Sequence, residues 1–241
     1  IMNIEPRTYF GLALQPRTRG YHLTRDNYVT LTNKRSFGKD YLYIEALASG
    51  DEKILRMYTD VYADSEGLVY TDRRCKAYLD EAMENFDLNM AFFNKLDRKK
   101  FNDEIERFVK KTKFNFINDL NEYCCSGYYV MVLDDYCQLY VGTANNIKDR
   151  IRQHWNGGKM RLDRLVCGCV SSSKLSIDSF RSLDTTRILA YGTTQTYSSE
   201  DRYIGYFSDD FICNRASGGR FLGEDPFSIE MFDRYKFRSF E

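Results

Sequence analysis

The pattern of apolar and polar residues is clearest in the second half of the chain, where it predicts a β-hairpin. Gly127–Leu133 is a continuous apolar, aromatic and β-branched run, which is typical of a buried strand. Asp134 and Asp135 are turn-forming residues, and Gln138–Val141 predicts a second, returning strand. Gly142 is expected to end this second strand.

Helix and strand signals alternate after the hairpin. Asn145 and Asn146 are good N-cap residues, and they predict a helix over 147–155. Arg187–Tyr191 is a short β-prone run that predicts another strand. The serines at 198–199 precede a further predicted helix, because small hydroxyl residues favour the N-cap position.

The first half of the chain has mainly helical patterns. Asp72–Lys95 and about Arg98–Tyr123 predict two helices, because their apolar residues recur close to every 3.6 positions. The first 40 residues predict strands and loops, with Tyr28–Leu31 as a β-prone run. Tyr41–Ala48 is compatible with either a strand or a helix.

Together these patterns predict an α+β protein with two domains. Residues 123–241 are expected to form a small mixed β-sheet flanked by helices, and residues 1–122 an α-rich N-terminal accessory domain. The boundary is placed by the change of pattern at about 120–126, since no Pro/Gly-rich linker separates the halves.

Charge is balanced over the whole chain, with 35 Lys plus Arg and 35 Asp plus Glu, but it is unevenly distributed. Residues 1–39 carry seven basic and two acidic residues, and residues 148–187 carry nine basic and four acidic ones. Residues 40–97 are acidic, with six basic and thirteen acidic residues. Basic stretches favour polyanion binding by local attraction, although solvated helix faces produce the same pattern.

The sequence favours a cytoplasmic or nucleoid-associated protein that is neither secreted nor embedded in a membrane. It contains no apolar run near the ~18–20 residues that span a bilayer and no signal-peptide pattern at its start. Its seven cysteines are an odd number without CxxC spacing, which favours free thiols over a structural zinc site.

Six features follow one another in the second half of the chain: Gly127-Tyr128-Tyr129, Tyr140-Val141-Gly142, Arg150, His154, Glu200 and Asn214. In this order and spacing, residues 127–215 resemble the GIY-YIG nuclease module. The first tripeptide has tyrosine in place of the isoleucine that is usual in that family, and the second has valine there.

The resemblance implies catalytic roles for five of these residues. Glu200 would hold one divalent cation, Mg²⁺ or Mn²⁺, and Arg150 would stabilise charge on the phosphate. One tyrosine would be the general base; Tyr140 is favoured, with Tyr129 positioning water or phosphate. Because free tyrosine has a pKa near 10, this role requires a depressed pKa or a proton relay. His154 would contact either the base tyrosine or the phosphate.

A second group of residues is assigned to the substrate-binding side of the site. Gly142 and Lys148 would lie near the phosphate, and Asn214 would be a hydrogen-bonding brace. The surrounding basic residues fit a surface that contacts the nucleic-acid backbone. They are Arg152, Lys159, Arg161, Arg164, Arg181 and Arg187.

Each of these residues also has an ordinary structural explanation. Glu200 is a favourable carboxylate at a helix start, Lys148 and Arg150 suit a solvated helix face, and each tyrosine suits a half-buried strand. His154 is compatible with an amphipathic helix. The basic segment 1–39 either contacts DNA or packs as a positive face onto the acidic segment 40–97.

The expected function is that of a hydrolase, a metal-dependent DNA endonuclease of the site-specific restriction or mobile-element type. Structure-specific DNA repair, a catalytically idle nucleic-acid-binding or protein-interaction module, and an RNA-directed enzyme are the alternatives. DNA is the expected partner, and a homodimer is one way for a single active site to cut both strands.

Overall fold

The computed structural model describes residues 7–14, 20–32, 49–50, 52–53, 72–156, 175–196 and 199–214. Both helices and strands are present, so the predicted α+β class is confirmed. Within the described ranges, no helix is long and apolar enough to cross a membrane. The elements are β1 (Arg7–Tyr9), β2 (Leu12–Leu14), α1 (Arg25–Thr32), α2 (Asp72–Lys95), α3 (Arg98–Lys111), β3 (Asn115–Ile117), β4 (Gly127–Leu133), β5 (Gln138–Ala144), α4 (Ile147–Trp155), β6 (Arg187–Gly192) and α5 (Glu200–Ile204).

The main sheet has four strands in the order β3-β6-β4-β5, with β4 in the interior. All three strand pairs are antiparallel, whereas the sequence predicted a mixed sheet. The one parallel pairing in the described residues is an isolated bridge between Leu139 and Ile212 at the β5 edge. β4 and β5 are antiparallel because the turn between them is too short for a crossover, which a parallel connection would require.

The predicted hairpin is confirmed, but its second strand is longer than expected. β4 covers the predicted residues, and every one of them is buried. The turn ends at Cys137, whose φ of 48° is left-handed. β5 continues past Gly142 to Ala144, because the residues from 142 to 144 pair with the first three residues of β4.

Helix α4 begins and ends as predicted. The Asn146 side chain accepts a 3.0 Å hydrogen bond from the Asp149 amide, so it caps the helix start. Ile147 and Ile151 are fully buried against the sheet. This anchors the apolar face of the helix and places Arg150 on its exposed side.

Two predictions for the first half are wrong. Tyr28 lies in helix α1 rather than in a strand, because Thr24 and Asn27 exchange hydrogen bonds that cap a helix start. The helix predicted to reach Tyr123 ends at Lys111, where the extended Thr112 bonds its hydroxyl back to the last turn. The chain then forms β3.

The apolar core lies on both faces of the sheet. One layer holds the side chains of Tyr129 and Met131 with those of α4 and of the N-terminal elements β2, α1 and α2. The other layer holds Tyr128, Val130 and Val132 with α3 and α5. Alternate residues of β4 therefore belong to opposite layers, as the period of a strand requires.

The boundary predicted at 122–123 cuts through this core. β3 lies before the boundary and pairs with β6, which lies after it. Helix α3 also precedes the boundary and packs against β4. The structural unit that contains the sheet therefore begins before residue 122.

We expect a fragment that starts at residue 122 to lack a cooperative fold. It loses Phe101, Ile105, Phe108 and Phe114, all almost fully buried behind the sheet. Each buried side chain of this size contributes about 1.5–3 kcal/mol, so the loss is comparable with the about 5–15 kcal/mol that stabilises a typical domain. Circular dichroism and urea unfolding of the fragment and the full chain test this. A sigmoidal unfolding transition of the fragment would contradict it.

The described part of the basic segment 1–39 packs onto the acidic segment 40–97. α1 lies against α2, and the Arg25 guanidinium makes two 2.9 Å hydrogen bonds to the Asp87 carboxylate. Arg7 lies over the ring of Tyr21 at 5.5 Å. The contacts of Arg25 favour the packing interpretation for that residue, whereas the contact of Arg7 lies within the basic segment itself. DNA contact by the segment stays a prediction.

Candidate active site

The hairpin and helix α4 bring Tyr129, Tyr140 and His154 together. Tyr129 lies opposite Gly142, and Tyr140 lies opposite Met131, two residues further along β4. Directly opposed residues and residues two apart share a sheet face, so both tyrosines face α4. The two tyrosine ring centroids are 6.1 Å apart, and those of Tyr140 and His154 are 5.0 Å apart.

Gly142 makes room for the two tyrosine rings. A Cβ atom at this position would lie 2.5 Å from Cζ and Oη of Tyr129 and 2.7 Å from Cε1 of Tyr140. The ring of Tyr129 cannot move easily, since it is fully buried. Gly142 thus has a packing role in the middle of β5, whereas its contact with a phosphate stays a prediction.

We expect Gly142→Ala to destabilise the protein by at least about 1–3 kcal/mol, the usual effect of overpacking. The added methyl group displaces both tyrosine rings, so activity should fall with stability. Gly205→Ala is the matched control, because a Cβ there meets only ordinary contacts of 3.5 Å and longer. Urea unfolding of both variants tests the expectation. Equal stability of the two variants would contradict it.

His154 is buried, and both of its ring nitrogens have partners. Nε2 lies 2.8 Å from the Tyr129 hydroxyl oxygen, and Nδ1 lies 2.7 Å from Oδ1 of Asp178. His154 therefore contacts Tyr129, one of the two candidate base tyrosines, and not the hydroxyl of the favoured Tyr140. With both nitrogens engaged, neither is available for the alternative contact with a phosphate.

Asp178 is a site residue that the sequence analysis missed. It lies in a short 3-10 turn, Ile177–Ser179, that packs against α4. Twenty-four residues separate it from His154. No helix or strand periodicity connects positions so far apart, so only the fold reveals the pair.

Arg150 and Glu200 complete the group of five predicted catalytic residues. Arg150 is exposed, one helical turn before His154, and interacts with the Tyr129 hydroxyl. Glu200 is half-buried at the first position of α5. Burial, and secondarily the neighbouring Asp201, raise the pKa of Glu200, while Arg150 acts in the opposite direction.

The environment raises the pKa of both tyrosines. Burial, and then the charge of Glu200, raise the pKa of Tyr140 to about 12. Burial also raises the pKa of Tyr129 well above its ordinary value, and Arg150 only partly opposes this. Both shifts run against a depressed pKa and favour a proton relay as the route to a tyrosine base.

Asn214 and Lys148 take different positions. Asn214 Oδ1 accepts a 2.9 Å hydrogen bond from the Val141 amide, and its Nδ2 donates to the Val141 carbonyl at 2.6 Å. Asn214 therefore has the expected bracing role and holds the free edge of β5, rather than facing a phosphate. Lys148 is half-buried in the first turn of α4, and its phosphate contact stays a prediction.

Tyr128, which stands where isoleucine is usual in the resembled family, holds the start of helix α5. It is almost fully buried on the sheet face opposite Tyr129, with its ring 4.9 Å from that of Tyr203. Its hydroxyl accepts a 3.1 Å hydrogen bond from the amide of Ser199. Ser199 directly precedes Glu200, so an isoleucine could not provide this anchor.

The donor set suits a hard divalent cation that keeps several waters. Glu200 is a half-buried carboxylate of the site, and the described residues contain no group of three or more His, Cys, Asp and Glu that could hold a metal. Mg²⁺ is commonly bound by one or two carboxylates together with water and substrate phosphate oxygens. A structural zinc site would need four protein ligands, which the described residues do not provide.

Comparison with known proteins adds no further assignment: no protein-family model, curated protein or solved structure matches the chain.

Proposed function

We propose that the protein is a metal-dependent endonuclease of the GIY-YIG type, a hydrolase of DNA phosphodiester bonds. The observation that carries this proposal is the 2.8 Å hydrogen bond between the Tyr129 hydroxyl and His154 Nε2. Arg150 and Glu200 are close enough to act on the same hydroxyl electrostatically. A buried tyrosine with a proton acceptor, a cation and a carboxylate has the chemical groups that phosphodiester hydrolysis requires.

The reaction requires a base for the attacking water and positive charge for the pentacovalent phosphate. The exposed guanidinium of Arg150 suits bidentate binding of phosphate oxygens. Glu200 would hold Mg²⁺ or Mn²⁺, which supplies further positive charge at the phosphate and at the attacking oxygen. The half-buried Tyr140 would position the water.

We assign the general base to Tyr129, which reverses the preference for Tyr140 drawn from the sequence. A phenol whose pKa is raised stays protonated at neutral pH, so it must lose its proton as it accepts one from water. Tyr129 has Nε2 of His154 at 2.8 Å, which can accept this proton when the ring carries its own proton on Nδ1. No hydrogen bond joins the Tyr140 hydroxyl to another of the described residues, so only Tyr129 has a relay.

Within this class we propose site-specific cleavage of the restriction or mobile-element type. The basic residues Lys148, Arg150 and Arg152 on α4 would contact the DNA backbone, and these contacts carry no sequence information. Selection of the target therefore has to come from other parts of the protein. A homodimer would supply the second active site needed to cut both strands.

The test is incubation of the full chain with supercoiled plasmid, linear duplex, branched DNA and RNA, each with Mg²⁺ or EDTA. We expect cleavage of duplex DNA that requires Mg²⁺ and stops in EDTA. Preference for branched DNA would indicate repair, and preference for RNA an RNA-directed enzyme. Binding without any cleavage would contradict the proposal in favour of an idle binding module.

A further inference from the structure

Asp178 forms a nearly dry ion pair or hydrogen bond with His154 on the side away from Tyr129. Its Oδ1 lies 2.7 Å from Nδ1, and the exposed side-chain fractions are 3% for His154 and 14% for Asp178. Electrostatic interactions are stronger where water is excluded, so this contact can set the state of the imidazole.

Hydrogen-bond chemistry fixes where the imidazole carries its proton. An ionised carboxylate only accepts hydrogen bonds, so Nδ1 of His154 must be the donor to Asp178. In the neutral ring, Nε2 is then an acceptor. The 2.8 Å contact on that side therefore has the Tyr129 hydroxyl as its donor.

We propose that Asp178 is a positioning residue that holds His154 in the Nδ1–H tautomer, so that Nε2 can take the proton of Tyr129. In the proton transfer, the O–H bond of Tyr129 breaks and an N–H bond forms at Nε2. Asp178 stays ionised and stabilises the resulting imidazolium. The catalytic consequence of this tautomer rests on the proposed function, whereas the tautomer itself does not depend on any substrate.

The competing explanation is purely mechanical, since Asp178 also ties the 3-10 turn to α4. A mechanical tie predicts loss of stability when it is removed, without a change of tautomer. It also predicts that the effect is independent of the Tyr129 hydroxyl. Two experiments distinguish the explanations.

The first experiment measures the tautomer of the full chain by NMR with ¹⁵N-labelled histidine. The chain has two histidines, so in the His22→Gln variant all remaining histidine signals come from His154. We expect protonated Nδ1 and unprotonated Nε2 in the wild type. Asp178→Asn should raise the Nε2–H population, because an amide can donate to Nδ1. Asp103→Asn, exposed on α3 across the sheet, is the matched control and should change nothing. An Nε2–H tautomer in the wild type, or no change in Asp178→Asn, would overturn the proposal.

The second experiment measures single-turnover cleavage in a double-mutant cycle with Tyr129→Phe. Asp178→Asn alone should slow cleavage strongly, by up to about 10⁴, the loss that the equivalent change causes in Ser–His–Asp triads through the wrong tautomer. In the Tyr129→Phe background the same change should have little further effect, because Asp178 acts through the proton of that hydroxyl.

Full additivity of the two losses would overturn the proposal in favour of the mechanical tie. If the wild type cuts no nucleic acid, the proposed function fails, and the NMR result alone decides whether Asp178 sets the tautomer. If Asp178→Asn does not fold, the wild-type tautomer still decides it. The NMR and cleavage experiments therefore distinguish failure of the proposed function from failure of the proposed role of Asp178.

Discussion

Glu200→Gln should abolish Mg²⁺-dependent cleavage while leaving the fold and nucleic-acid binding intact. The amide keeps the shape of the half-buried carboxylate but loses the charge that would hold the cation. A catalytic metal supplies several kcal/mol to the transition state, so the rate should fall by at least about 10³. Single-turnover cleavage over a range of Mg²⁺ concentrations, with circular dichroism and a DNA-binding assay, provides the measurement.

Asp201→Asn is the matched control for this variant. Asp201 is exposed and is the next residue of α5. Its replacement by Asn removes the same charge from the same short helix. We expect it to keep most of the activity. If Glu200→Gln still cuts within about tenfold of the wild type, far less than loss of a catalytic metal implies, the cation is held elsewhere.

Tyr129→Phe should slow single-turnover cleavage by about 10²–10⁴, the range for loss of a general base. Tyr140→Phe should be less damaging, because the Tyr140 hydroxyl has no hydrogen-bond acceptor among the described residues. The two variants are each other's control, since both remove only an oxygen from neighbouring rings of the same layer. Packing should survive in both, so the difference reports chemistry.

The pH dependence adds a second measurement of the same assignment. With the pKa of Tyr140 raised to about 12 and that of Tyr129 also raised well above its ordinary value by burial, both phenols stay protonated through neutral pH. We therefore expect no tyrosine inflection in the rate up to about pH 9. A larger loss in Tyr140→Phe than in Tyr129→Phe would return the base to Tyr140. Small losses in both would contradict a tyrosine base.

The parts of the fold that the sequence predicts are those held together by local signals. Strand β4 and helix α4 follow from apolar periodicity and from the cap at Asn146, which act over a few residues. The positions of Tyr129 on β4, Tyr140 on β5 and His154 on α4 follow in turn. Their convergence on one face needs only the period of a strand and that of a helix.

The parts that the sequence does not predict depend on partners far along the chain. Strand β3 has only three residues, and it forms because Ile117 and its neighbours pair with β6 about seventy residues later. The bond between Asp178 and His154 likewise needs a turn that packs on α4 from outside its sequence neighbourhood. The β propensity around Tyr28 predicts a strand, but the cap formed by Thr24 and Asn27 starts a helix there instead.

Adjacent residues of strand β4 contribute to the candidate site from its two faces. Tyr128 anchors the residue before Glu200 on one face, and Tyr129 is hydrogen-bonded to His154 on the other. A slip of β4 by one residue would exchange the faces and destroy both arrangements together. The hairpin turn at 134–137 therefore constrains sequence change in this protein: an insertion there preserves the site only when the turn absorbs it without shifting the pairing of the strands.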